Sequence, residues 1–256
     1  MSDCLKDCFG LVTGSTRGIG ASMAEAMETA GAAVVRHGLP EDSEGEPDVS
    51  RDILLSDLST RLPDSARSLA AAALTREPRT NLLVCNAGTY IDRPFLDMSF
   101  DAFEATMRLN VASQFVLVQE FARHWVRHNI AGRVVLTGSI NGRLSEPVHV
   151  AYDTSKGAIE AMVRSMSVSL APHGIRVNGV APGLIHTPLT APVLDQNANR
   201  RWMELHTPNG IVPGPDSCAG AVVFLLSDAA CHVHGQMLFV DGGMSIWQQP
   251  DPPDSW

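Results

Sequence analysis

Tyr152 and Lys156, in the run Tyr152-Asp153-Thr154-Ser155-Lys156, are the pair in this chain best suited to move a proton. On a helix, residues four apart share a face, so the phenol and the ammonium can point into one pocket. A phenol ordinarily titrates at about 10, and a cation held close favours phenolate and pulls that value toward neutrality. A proton donor and acceptor poised in this way suits reduction of a carbonyl or oxidation of an alcohol. Upstream, Ser139 follows the apolar run Val134-Val135-Leu136-Thr137-Gly138, which reads as a buried strand. Its hydroxyl can reach the same substrate oxygen. A tyrosine and a lysine at this spacing recur by chance, so their meaning depends on the elements that carry them.

Near the N-terminus, Phe9-Gly10-Leu11-Val12-Thr13 reads as a short strand running into Gly14-Ser15-Thr16-Arg17-Gly18-Ile19-Gly20. A helical pattern follows, with Ile19, Met23, Ala26, Met27 and Ala30 on one side until Gly31 stops it. Glycines at 14, 18 and 20 allow a tight turn and close approach to a pyrophosphate, whose charge suits a helix N-terminus. Further strands are expected at Ala32–Val35, Ile53–Ser56, Leu82–Cys85, Arg176–Ala181 and Gln236–Val240, and helices at about Ser99–His128 and Val150–Pro172. This alternation predicts a single-domain α/β fold, Rossmann-like and doubly wound, with a seven-stranded parallel sheet and helices on both faces.

Composition narrows the function classes. A chain of 256 residues with 45% hydrophobic content can bury one sizeable core. The formal net charge of -9, with no basic cluster, argues against a nucleic-acid partner. No apolar stretch approaches the roughly 20 residues of a membrane span. The first residues show no basic segment followed by an apolar one, so no signal peptide is expected. Five cysteines without a CxxC pair fit a reducing cytoplasm, and no His/Cys/Asp cluster has metal-ligand spacing.

From about residue 9 to 245 the chain resembles the short-chain dehydrogenase/reductase family. Its cofactor motif Thr-Gly-x3-Gly-x-Gly is matched by Thr13, Gly14, Gly18 and Gly20. The Asn-Asn-Ala-Gly motif appears as Cys85-Asn86-Ala87-Gly88, with cysteine in place of the first asparagine. Pro182-Gly183 and Val240-Asp241-Gly242-Gly243 complete the pattern. The resemblance implies an NAD(P)-dependent oxidoreductase in which Tyr152 exchanges the proton and Lys156 lowers its pKa and holds the nicotinamide ribose. Ser139 orients the carbonyl, and Asn110 positions a relay water or pins the long helix. Cofactor contacts are implied at Gly14, Ser15, Thr16, Arg17, Gly18, Ile19 and Gly20, at His37, Asp57 and Leu58, at Asn86, Ala87 and Gly88, and at Tyr152 and Lys156. Pro182, Gly183, Ile185 and Thr187 belong to the same set. Asp57 reads equally as an adenine contact or as a cap after its strand. Relatives assemble as dimers or tetramers, so a homo-oligomer is expected.

Cofactor choice rests on few residues. The strand-two end, where NAD-preferring relatives carry an acid, is Gly38 here, while Arg17 can pair with a 2′-phosphate. One of Arg36 and His37 faces the ribose. Between Gly38 and Asp52 lies an acidic stretch, expected to be a solvated mobile loop, that opposes a phosphate. The balance tips narrowly to NADP(H) over NAD(H). The substrate wall is expected from Asn141, Arg143, Glu146, His149, Tyr90, Arg93 and His186, with Leu189–His206 as a lid. Asn141, His149 and His186 are the substrate contacts chosen. A wall rich in hydrogen-bonding groups favours a sugar, polyol or hydroxy acid. A 3-oxoacyl reductase and a non-catalytic nicotinamide-binding protein are the alternatives. The tail at 249–256 is expected to be flexible.

Overall fold

The computed structural model describes residues 3–43 and 53–247. Seven strands form one sheet: β1 (Phe9–Val12), β2 (Ala33–Gly38), β3 (Ile53–Leu55), β4 (Leu82–Cys85), β5 (Arg133–Thr137), β6 (Arg176–Pro182) and β7 (Met237–Val240). All pair in parallel, in the order β3-β2-β1-β4-β5-β6-β7. Strand β4 is buried at every residue, the pattern of a strand covered on both faces.

The helices covering it are α1 (Gly18–Thr29), α2 (Asp64–Arg76), α3 (Phe100–Met107), α4 (Ser113–His128), α5 (Val150–Leu170), α6 (Ala191–Leu194), α7 (Asn197–Leu205) and α8 (Ala219–Leu226). On one face, Leu117, Phe121 and Trp125 of α4 pack with Leu69 of α2 and Ile159 and Val163 of α5. On the other, Met23 and Met27 of α1 pack with Val222 and Leu226 of α8. Trp125 is fully buried because its indole N–H donates to the Thr80 carbonyl at 2.6 Å.

The seven strands and the helices expected after β1, over 99–128 and over 150–172 are present, and α2 and α8 join them unexpected; three differences matter to the site. Strand β2 continues past Val35 to Gly38, because Arg36–Gly38 pair with β3. The long helix expected over 99–128 is broken by a π turn at Arg108–Ala112. That turn swings the Asn110 side chain toward α5. After Gly38, Pro40–Ser43 forms a 3-10 turn; the rest of the acidic stretch and the tail lie outside the described residues.

The strand order reverses between β1 and β4, and a crevice opens where their C-terminal ends diverge. Arg36 braces one rim of it. Only 1% exposed, it donates to Glu28 through Nε at 3.2 Å and Nη2 at 2.9 Å, and through Nη1 to the Ser15 carbonyl at 3.3 Å. The pattern ties β2 to α1 and to the glycine turn. Arg36→Leu leaves that carbonyl and carboxylate unpaired, and we expect a loss of about 2 kcal/mol of stability. Thermal unfolding then shifts down by roughly 4–8 °C, and an unchanged midpoint would show that the brace carries no load.

Candidate active site

Tyr152 and Lys156 lie on one face of the first turns of α5, beside the C-terminal end of β5. Lys156 is 5% exposed, donates from Nζ to the Thr137 carbonyl at 2.9 Å, and sits 5.4 Å from the Tyr152 ring centroid. Ser139 begins a 3-10 turn just beyond β5 and bears on the Tyr152 hydroxyl. The three groups line the same cleft, of about 570 Å³.

Their titration differs from the expectation. Burial pushes Tyr152 up to about 12, with Ser139 acting against it and the Asp153 and Glu146 carboxylates adding to it. Burial pushes Lys156 down to about 8. Desolvation is the largest influence on this hydroxyl and runs against the lowering that the resemblance implies for Lys156.

Asn110 stands outside the cleft lining, fully buried. Its Nδ2 donates to the Thr89 carbonyl at 2.8 Å and to Ser155 Oγ at 2.9 Å, and its Oδ1 accepts from the Thr89 amide at 2.9 Å. This amide locks the loop after β4 against α5, a contact compatible with either reading given by sequence.

At the other end, the turn after β1 approaches β4 closely. Gly14 has φ +61°, and a Cβ there would lie 3.0 Å from the Ala87 Cα. A Cβ on Gly20 would collide with the Gly14 carbonyl and Asn86 Nδ2. No side chain caps the N-terminus of α1 and no acid lies in its first turn, so its amides are left for an anion. Gly14, Thr16, Arg17, Gly18 and Ile19 all line the cleft, as do Asn86, Ala87 and Gly88. Pro182, Gly183, Ile185 and Thr187 line its opposite wall. This glycine cradle and bare helix end fit a dinucleotide.

Two expected cofactor contacts are corrected. Ser15 is fully buried and faces inward, its hydroxyl donating to the Val12 carbonyl at 2.7 Å and accepting from the His37 amide at 3.0 Å. Gly20 serves packing and does not reach the cleft. His37 does line it, while Arg36 is the inward member of that pair. Burial lowers the pKa of His37, whose Nδ1 accepts from the Gly14 amide at 3.2 Å. Asp57 and Leu58 line the cleft, and Asp57 also caps its turn through Ser59 at 2.8 Å.

Sequence reasoning missed Asp42. Its Oδ2 accepts from Thr16 Oγ1 at 2.9 Å and from the Leu39 amide at 2.8 Å, and its Oδ1 lies 3.3 Å from Arg17 Nη1. The carboxylate comes within 2.5 Å of where a Gly38 Cβ would stand. A residue expected in a solvated loop thus occupies the strand-two end from outside. The available signal was the Pro40-Glu41-Asp42 turn, whose aspartate bonds back to the chain.

At the substrate end, Asn141 and His149 line the cleft, and so does Asp92, which sequence did not single out. The Asn141 amide is already held by Glu146 at 3.2 Å and Asp153 at 2.9 Å. His186 is corrected: it lies outside the lining, its Nε2 2.8 Å from Asp195 Oδ1. Arg143 turns away to Glu160 at 2.7 Å, and Arg93 donates to the Asp92 carbonyl. From the lid, Leu189, Val193, Leu194 and Met203 reach the cleft, and Tyr90 donates to the Leu189 carbonyl at 3.2 Å.

A family model described as "Enoyl-(Acyl carrier protein) reductase" matches residues 14–245. The chain is 32% identical over 245 residues to a glucose 1-dehydrogenase of Gluconobacter oxydans, covering 93% of this chain and 91% of that one. It is 31% identical over 253 residues to a 3-oxoacyl-[acyl-carrier-protein] reductase of Aquifex aeolicus, covering 94% and 98%. Among solved structures, a gluconate 5-dehydrogenase from Burkholderia cenocepacia in complex with NADP and tartrate superposes with a TM-score of 0.87. That pair shares 31% identity over 95% of this chain and 97% of the other.

Burying Lys156 has a thermodynamic signature. Its folded value of about 8 lies below the ordinary 10.5, so the unfolded chain holds that proton more tightly between the two. The resulting penalty on stability is full below pH 8 and is relieved as pH rises toward 10.5. Lys156→Met should therefore be more stable than the parent at pH 7 by about 2 kcal/mol, with the gap closing toward alkaline pH. Calorimetry of both proteins across that range decides it; a gap that is flat or reversed would rule out the burial penalty.

Proposed function

The chain belongs to the short-chain dehydrogenase/reductase family, and from that premise we propose that Ser139, Tyr152 and Lys156 act on a sugar or polyol. It is an NAD(P)-dependent oxidoreductase that interconverts an alcohol and a carbonyl on a small polar substrate. The observation that carries the residue assignment is that Tyr152, Ser139 and Lys156 line the same cleft. When bound, the nicotinamide dinucleotide supplies the hydride donor or acceptor. Gly14, Gly18 and the N-terminus of α1 would hold its pyrophosphate, and Ile185 and Thr187 its far end.

In the oxidising direction Tyr152 takes the proton from the substrate hydroxyl, and in the reducing direction it returns it. Its high value alone makes the phenol a reluctant base, so the charge on Lys156 matters at that moment. Ser139 donates a hydrogen bond to the substrate oxygen as negative charge grows there, the role of a preorganised donor. Asn110 is a positioning residue, holding Thr89 against Ser155 and so fixing the Tyr152 turn of α5. The carboxylates Asp92 and Glu146 in the wall suit a hydroxyl-rich molecule better than the chain of a 3-oxoacyl substrate. Small-molecule turnover in a reducing cytoplasm is consistent with five free cysteines. Assembly into a homo-oligomer is supported by exposed Phe100 on α3, Phe115 on α4 and Val168 on α5.

For the cofactor, we retain NADP(H) narrowly ahead of NAD(H). Apart from Lys156, Arg17 is the one lysine or arginine among the described lining residues, and it is exposed enough to meet a 2′-phosphate. Asp42 restrains that preference, because the guanidinium must leave the carboxylate to do so.

Two experiments test these assignments. Tyr152→Phe should cut kcat by about 10²- to 10⁴-fold while fluorescence titration shows NADPH still binding. Turnover near that of the parent would remove the tyrosine from the mechanism. In the same titration, Arg17→Ala should weaken NADPH by about tenfold and leave NADH nearly unchanged, whereas Asp42→Asn should tighten NADPH. Equal effects on both cofactors would dissociate this pair from phosphate recognition.

A further inference from the structure

The substrate end of the cleft is acidic, apart from the buried Lys156 and a histidine held between two of the acids. Among the described lining residues, the charged side chains there are Asp92, Glu146, His149 and the catalytic Lys156. The imidazole of His149 is clamped between the two acids, with Nε2 2.8 Å from Asp92 Oδ1 and Nδ1 3.2 Å from Glu146 Oε1. Its ring meets those of Tyr90 and Tyr152 edge-on, each with centroids 5.9 Å apart. Both ring nitrogens thus lie beside carboxylates; Nδ1 is buried and makes no aligned hydrogen bond, so it is shut off from a substrate by burial. The Glu146 carboxylate beside it raises the His149 pKa, helped by Asp92 and Asp153.

The carboxylates themselves are open to the cleft. The Asp92 side chain is 49% exposed and that of Glu146 52%, against 16% for His149. A third acid, Asp153, stands behind them, accepting from Asn141 Nδ2 at 2.9 Å and from the Glu146 amide at 3.1 Å. One imidazole therefore stands between two carboxylates, with a third behind them. Neither nearby arginine offsets them, since Arg143 pairs with Glu160 and Arg93 stays outside the lining. Carboxylates can only accept hydrogen bonds, so what they recognise must donate.

We propose that Glu146 and Asp92, held in place by His149, are the specificity-determining residues of this site, accepting hydroxyl donors of a neutral sugar or polyol and repelling sugar acids. This deepens the sugar reading above and rests on it. It also separates two chemistries that the relatives' names leave side by side, glucose in one and gluconate in the other. Because both acids are half in water, screening limits the discrimination to about tenfold, well short of what a dry site would give.

The test measures kcat/KM for matched pairs, D-glucose with D-gluconate and D-xylose with D-xylonate, with polyols alongside. It uses the full chain and saturating cofactor, with NAD(P)H fluorescence titration as the check that each variant still binds. We expect the neutral member of each pair to be favoured by about tenfold at low salt, with the gap narrowing in about 0.5 M salt. Glu146→Gln and Asp92→Asn should each narrow it to about threefold or less, through KM rather than kcat, and remove its dependence on salt. His149→Phe keeps the ring contact and loses the clamp, so it should narrow the gap in the same way. A preference for the sugar acid, or a gap that ignores both salt and Glu146→Gln, overturns the proposal while leaving the sugar reading intact. No turnover of either series with cofactor tightly bound overturns the sugar reading and this inference together.

Discussion

The arrangement depends on one costly contact, a lysine ammonium sunk beneath a phenol with a backbone carbonyl as its hydrogen-bond partner. A cation in such surroundings loses hydration that one neutral acceptor cannot replace. Thr137 can offer its carbonyl because β5 ends there, and β5 ends there because the chain turns at Ser139 into a 3-10 helix. The same turn that frees the acceptor therefore also places the serine hydroxyl. The two are one local decision of the chain, made where a buried strand meets the crevice edge.

That decision holds only if α5 keeps its register against β5. Register comes from two sides. Ile159 and Val163 are fully buried against the α2 and α4 layer, fixing the helix rotation from below. Asn110 and Ser155 fix the top of the helix through a hydrogen bond of 2.9 Å, and Ser155 in turn donates to the Tyr152 carbonyl at 2.7 Å. The π turn at Arg108–Ala112 exists at a cost in helix geometry, and what it gains is the direction of the Asn110 side chain. A regular helix over the same residues would rotate that side chain elsewhere.

Much of this was legible in the residues alone. Alternating apolar runs and glycine turns give the sheet, and periodicity fixes each helix face, because those signals come from burial, which is local to an element. The glycine cradle and the Tyr152–Lys156 spacing are likewise local geometry. What escaped was set by contacts between distant segments. Nothing in the run Pro40-Glu41-Asp42 says that its carboxylate folds back to Thr16 and Arg17. Arg36 and His37 look equivalent until the strand direction sends one inward to Glu28 and the other toward Gly14. His186 stands between two cleft residues, yet Asp195 draws it outward. The tyrosine pKa escaped for a different reason: spacing gives the neighbour, but not how far water is excluded.

The two ends of the cleft share a design, in that each holds a basic side chain beside a carboxylate. Arg17 faces Asp42 at 3.3 Å where the side chain is largely in solvent, and His149 faces Asp92 and Glu146 where it is largely enclosed. The difference in exposure decides what each pair can do. Only the arginine of that pair is in solvent, and the enclosed Asp42 keeps Thr16 and the Leu39 amide as donors, so Arg17 can trade the carboxylate for a phosphate at small cost. An enclosed imidazole facing two acids cannot be traded without leaving charge unpaired, so it acts as scaffold and leaves recognition to the carboxylates. The cofactor end is thus adjustable and the substrate end is set, which places the narrower selectivity of this site next to the bond that reacts.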